Sequence, residues 1–128
     1  MEDSLLTRVT TGSAVTAIIG TRMYPVTAPS VAVVPYIVYR RTSTVRQQAF
    51  GSASGNVRAV FELIMVQRTP KLARALARAV RLRLHRWRDA SGSPVVEDVF
   101  LESEDEYLVE LQDKRFEVIQ NYLVFYLE

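Results

Sequence analysis

An α+β fold, built as a four-stranded, mainly antiparallel sheet with helices packed on one face, is predicted by three features of this 128-residue chain. Two pairs of runs rich in β-branched and aromatic residues, 36–42 with 56–68 and 95–101 with 114–126, read as strands. Between the pairs, the stretch from Pro70 repeats its apolar residues with a helical period. Hydrophobic residues make up 48% and charged ones 23%, enough apolar side chain for one core, and the length suits a single domain spanning 1–128. The predicted order is α-β-β-α-β-β, without an internal repeat.

Residues 3–19 predict one or two short helices. Asp3 or Ser4 can accept hydrogen bonds at the helix start, and Leu5, Leu6 and Val9 give a narrow apolar stripe. Thr10-Thr11-Gly12 interrupts it, and a second piece, 13–19, stops at Gly20, where glycine tolerates positive φ. Pro25, Pro29 and Pro35 make a regular ladder or helix improbable across 24–35, so an extended connection is expected there. Tyr36 to Thr42 is the first strand. Residues 44–55, rich in glycine and serine, predict an extended mobile loop, and Asn56 to Arg68 then alternates Val57, Ala59, Phe61, Leu63 and Met65 with a mixed second face.

Thr69-Pro70 supplies a helix cap followed by a proline whose missing N–H is harmless in the first turn. A helix of about five turns should end near Trp87–Asp89. At 100° per residue, Leu72, Ala73, Leu76, Ala77, Val80, Leu84 and Trp87 share one arc, and Lys71, Arg74, Arg78, Arg81 and His85 the other. A strand near 95–101, an acidic loop (Glu102, Glu104, Asp105, Glu106) and a final strand near 114–126 complete the chain.

That final strand is apolar on both alternating sets, whereas a strand with one solvated face should alternate. The helices can bury one side. The other needs a cover from a neighbouring subunit or a companion protein, and Phe116, Val118, Tyr122, Val124 and Tyr126 are the expected subunit interface.

Composition removes several chemistries. With no cysteine and one histidine there is no disulfide framework, thiol nucleophile or His/Cys metal cluster. No apolar run reaches the ~18–20 residues of a membrane span, and the N-terminus lacks the pattern of a signal peptide, so the expected compartment is a cytoplasm, unless the protein leaves inside a particle. The acidic run lacks calcium-loop spacing, and Phe50 to Gly55 lacks phosphate-loop spacing and leads into a strand. No serine has a visible base. Neither a catalytic site nor a cofactor is expected, and the net charge of +2 is concentrated on the helix. That basic face suits phosphates, but a solvated helix face or a contact with an acidic neighbour is the commoner use.

Three motifs carry a resemblance: Ile19-Gly-Thr-Arg-Met-Tyr-Pro25, Pro35-Tyr-Ile-Val-Tyr-Arg-Arg41, and Ala73-Arg-Ala-Leu-Ala-Arg-Ala-Val-Arg-Leu-Arg-Leu84. In order and spacing they resemble the phage tail-completion, or tail-terminator, family. The resemblance implies a non-enzymatic virion protein that forms a homo-oligomeric ring, typically a hexamer, at the neck. Such a ring caps the tail tube, ends its polymerisation and joins tail to head. Its implied partners are its own copies, the major tail tube protein and the head-tail connector or stopper, with genome DNA passing through the lumen without sequence-specific binding. In this reading the 44–55 loop, with Arg46, Phe50, Gly51 and Gly55, reaches the tail tube or a neighbouring subunit. Two rivals remain: a non-specific nucleic-acid-binding module using helix 70–88, and another neck protein such as an adaptor or stopper.

Overall fold

The computed structural model describes residues 1–30, 32–49, 52–110 and 114–128. Helices α1 (Glu2–Thr10) and α2 (Ser13–Ile19) lead into a short strand β1 (Met23–Pro25). Strands β2 (Tyr36–Ala49) and β3 (Ser52–Gln67) precede helix α3 (Pro70–Leu84), and β4 (Val95–Glu110) and β5 (Lys114–Leu127) follow it. The sheet has five strands in the order β1-β2-β3-β5-β4, one more than the sequence predicts. β1 pairs parallel with β2 and every other pair is antiparallel, so the sheet is mixed. Pro25 is admitted because β1 is an edge strand, where a missing N–H removes no interior ladder bond.

Two segments expected to be loops are strand instead. β2 and β3 continue as a ladder to Gln48↔Ala53 and Ala49↔Ser52, so the residues described within 44–55 form a hairpin. Backbone pairing sustains it, helped by the β-branched Thr44 and Val45, and needs no apolar face. Gly55, at φ +78, takes up the irregularity between Arg46 and Gln48. The acidic run likewise lies inside β4, paired from Ser103↔Asn121 to Glu110↔Lys114. Charged side chains are tolerated there because β4 is the sheet's other edge.

One face of the sheet is sealed by the helices. Val57, Ala59, Phe61, Leu63 and Met65 of β3 and Val118, Tyr122, Val124 and Tyr126 of β5 meet Leu76, Ala77, Val80 and Leu84 of α3 and Leu5, Val9, Val15 and Ile19 of α1 and α2. Thr69 caps α3 through its side chain, which accepts from the Leu72 N–H at 3.2 Å. Leu72 does not join the buried arc and is half-exposed. The helix stops at Leu84, short of the predicted end. His85 turns extended and Arg86 enters the left-handed region (φ 64), which lays 86–89 against the β4 edge. There the Arg86 N–H donates to the Val99 carbonyl, and Asp89 and Val96 exchange both backbone bonds. α1 starts at Glu2, a residue before the expected cap. It is locked to α3 by reciprocal bonds, Arg8 Nε to the Arg83 carbonyl and Arg83 Nε to the Arg8 carbonyl, with Arg8 lying over Trp87.

Gln120 is fully buried on the helix-facing side. Its amide donates to the Ala77 carbonyl at 3.0 Å, and its oxygen accepts from the Tyr122 hydroxyl at 2.7 Å. Burial also drives the Tyr122 hydroxyl far above the ordinary phenol range, so it stays a donor. Gln120→Leu should therefore cost about 1–3 kcal/mol in urea unfolding, the penalty of a buried hydroxyl without an acceptor. Adding Tyr122→Phe should recover part of that loss. Additive losses in the double variant would show that the two side chains are not coupled.

Candidate functional site

The sheet's second face is the candidate assembly surface. Along β5 the outward set is Glu117, Ile119, Asn121, Leu123, Phe125 and Leu127, all half-buried. Register places Val60, Leu123 and Phe100 in one row across three strands, and Arg58, Phe125 and Asp98 in the next. Ile64 lies beside Ile119. Phe100 and Phe125 meet edge to face at 6.0 Å, and the Arg86 guanidinium lies 4.8 Å from the Phe100 ring centre. The result is an apolar belt with charged margins: exposed Arg58, the Arg40–Glu62 pair at 2.9 Å, and Asp98 bonded by Arg86 and Arg88.

One end of this face has its own cover. The proline-containing segment lays Tyr24, Ala28, Ala32 and Val34 over Tyr36, Val38, Ile64 and Val66. That cover leaves the belt from Val60 to Phe125 outside it.

The expected interface set is displaced by this geometry. Val118, Tyr122, Val124 and Tyr126 are at most 3% exposed, and Phe116 packs against the same core. They face the subunit's own helices, so any contact made by β5 must use the alternate set. Two polar residues, Glu117 and Asn121, belong to the outward set, and one, Gln120, to the inward.

The basic helix face is only partly free. Lys71, Arg78 and Arg81 are exposed, whereas both Arg74 nitrogens reach the Glu106 carboxylate, at 2.7 and 2.9 Å. His85 has left the helix. Its Nδ1 accepts from the Leu101 N–H at 3.1 Å, capping the β4 edge, and its ring stands edge-on to Phe100. Glu102, Glu104 and Asp105 are exposed along β4. Arg46 grips the Glu128 carboxylate at 2.8 and 2.9 Å and ties the hairpin to the end of β5. Phe50 and Gly51 lie outside the described residues. Gly55 accepts from the Glu128 N–H at 2.8 Å.

Both hairpins overrun their neighbours. β3 pairs with β5 only from Asn56, so the described residues of β3 before it extend past β5 with β2. At the opposite end β3 stops pairing at Phe116, while β4 and β5 run on together to Glu110↔Lys114. Two short arms thus leave the sheet in opposite directions. Among the described residues there is no cluster of three or more metal-ligating side chains, and no helix is long and apolar enough to cross a membrane.

Comparison with known proteins agrees with this architecture. A family model described as Tail completion protein gp17 matches residues 3–126. No curated protein matches the sequence significantly. Among solved structures, a chain of the virion of a native gene transfer agent particle superposes with a TM-score of 0.76 at 14% identity, covering 95% of this chain and 91% of that one. At that identity the likeness shows the fold.

Asp98 gives the belt's margin a pH signature. Burial pushes its carboxyl up, but the Arg88 hydrogen bond, the Val99 N–H and the Arg86 charge outweigh that and hold it below the usual aspartate range. A depressed carboxylate stabilises the fold above its unfolded-state value, and that contribution disappears as pH falls below about 4. Asp98→Asn should therefore flatten the acid limb of the stability profile, measured by thermal melts between neutral and acid pH. An unchanged limb would place the titration elsewhere.

Proposed function

Because the chain belongs to the tail completion protein gp17 family, and is thus a structural, non-enzymatic component of phage tails, we propose that it forms a ring at the head-tail interface. In that position it caps the tail tube, ends its polymerisation and joins tail to head. The observation that carries this reading is the apolar belt of Val60, Phe100, Leu123 and Phe125, which no helix among the described residues covers. A surface of that kind in an assembling protein is a contact awaiting its partner. Copies of the same chain, typically six in the family the sequence resembles, would share such contacts around a lumen through which genome DNA passes.

The two arms suit a joint. A protein that links a tube to a connector needs separate surfaces at its two poles, and the β2–β3 and β4–β5 arms point to opposite poles. The first would engage the major tail tube protein and the second the connector or stopper. An adaptor or stopper would keep this geometry and exchange the neighbours. A duplex-binding use of α3 has four exposed cations to draw on, Lys71, Arg74, Arg78 and Arg81, of which Arg74 is paired with Glu106. It predicts that log affinity falls with log salt at about 0.9 per phosphate neutralised. A joint predicts no such dependence of tail completion on those residues.

Two outcomes test the proposal. Particles assembled without this protein should show tails of unregulated length, unattached to heads, by electron microscopy; normal tails joined to heads would overturn it. Replacing residues 48–53 with a two-residue Asn-Gly turn should leave the circular-dichroism spectrum and melting point close to wild type while abolishing tail joining. Full joining by the shortened protein would remove the arm from the mechanism.

A further inference from the structure

The sheet has two open edges of opposite character. β1 covers β2 only at Ile37, Val38 and Tyr39, so among the described residues no strand pairs with the outer edge of β2 from Arg40 to Arg46. That stretch carries the exposed Arg40 and Arg46 and an exposed valine, Val45, whereas Arg41 is turned to Glu2 of α1 at 2.8 Å. At the far side, residues 86–89 cap β4 as far as Val99 and His85 caps Leu101, which leaves 102–108 open. Every residue of 102–108 is exposed, and the stretch carries Glu102, Glu104, Asp105 and Glu106 together with Tyr107 and Leu108, each about half exposed.

We propose that, in the ring inferred above, the open β4 edge of one copy (102–108) pairs antiparallel with the open β2 edge (40–46) of the next copy, so that one sheet continues from subunit to subunit. The inference rests on the ring reading and names its contact. Strand direction supports it. β2 and β5 run one way and β3 and β4 the other, so a copy turned about an axis along the strands brings its β2 beside β4 in the antiparallel sense.

Charge selects the same arrangement. A two-fold dimer through β4 would set carboxylate against carboxylate, and one through β2 would set guanidinium against guanidinium; like charges across a strand pair are unfavourable. Pairing β4 with β2 sets acidic against basic residues, and a head-to-tail contact of this kind makes a ring when its rotation closes. Arg40 and Arg46 already hold Glu62 and Glu128, but both arginines are more than half exposed, and such pairs in water are readily re-formed with other carboxylates.

The stagger of the two edges also fits closure. Ser43, in the middle of the open β2 stretch, lies in the row of Val60 and Leu123, whereas Asp105, in the middle of the open β4 stretch, lies in the row of Ile64 and Ile119. Joining them shifts each copy by about 13 Å along the strands for every ~19 Å across four strand spacings. That is a tilt of roughly 35°, at the margin of the roughly 35–45° at which strands lie in closed sheets. β2 and β4 each carry two register irregularities, which bend and twist an edge.

Beside the open part of β4, Pro70, Ala73, Phe116 and Val118 line a groove that also takes in Leu108. Apolar side chains of an added strand would find cover there.

The chain has no cysteine, so engineered thiols can be read without background. In tails assembled with the Ser43→Cys, Asp105→Cys double variant, mild oxidation should give a ladder of covalent oligomers on non-reducing gels, and each single variant should not. A complementary test uses Glu102→Lys with Asp105→Lys in one protein and Arg40→Glu with Arg46→Glu in another, each checked for folding by circular dichroism. Alone, each should fail to cap tails. Together, they should restore capping, because alternating copies match every edge. Tails that hold several copies of the protein without the 43–105 cross-link would overturn the edge pairing and leave the ring standing; one copy per tail would sink both.

Discussion

β5 is placed between β3 and β4 and carries apolar side chains on both of its faces, and that constraint shapes the rest of the molecule. A strand so placed needs two covers. α1, α2 and α3 supply one, closing over Tyr122 and Val124 with Gln120 held inside by its own hydrogen bonds. Tyr24, Ala28, Ala32 and Val34 cover one end of the outer face, and the belt around Leu123 and Phe125 stays half-buried. The proposed contact outside the subunit thus follows from where a single strand sits.

The edges show the opposite treatment. Where β4 would template unwanted pairing, the chain either caps it, with 86–89 and the His85 ring nitrogen, or loads it with carboxylates. Both devices restrict promiscuous strand addition. Loading one edge with acid and the other with arginine does something further, because it leaves a mutual pairing of the two edges as the combination without a charge penalty. Protection against indiscriminate association and selection of one geometry are therefore compatible uses of the same residues.

Much of this was legible in the sequence where a physical signal was unambiguous. Thr69-Pro70 marked the start of α3, Gly20 the end of α2, and the alternation from Val57 to Met65 the inward face of β3, because each has few alternative uses. The surplus of apolar surface on the last strand was also visible. Phe116, Val118, Tyr122, Val124 and Tyr126, expected at a subunit interface, meet the helices instead, and Glu117 and Asn121 lie on the outward set. The 44–55 and 102–106 stretches read as loops because glycine, serine and glutamate are poor strand formers. Strand propensity is dominated by the packing of a half-buried surface, however, and an edge or a projecting hairpin imposes little of that. β1 was hidden by Pro25, whose missing N–H an edge strand tolerates.

These misreadings share a location: they fall at the sheet's margins and its uncovered face, where the stability of the isolated subunit demands least of the sequence. Inside the core, burial fixes residue type and the sequence reports structure directly. At the rim, residue type is free to answer to something beyond the subunit. The acidic stretch of β4, the arginines of β2 and the hairpin anchored by Arg46 to Glu128 all lie in that zone. A family whose members complete a tail would be expected to concentrate its working residues there, on elements that a single folded chain does not require and an assembly does.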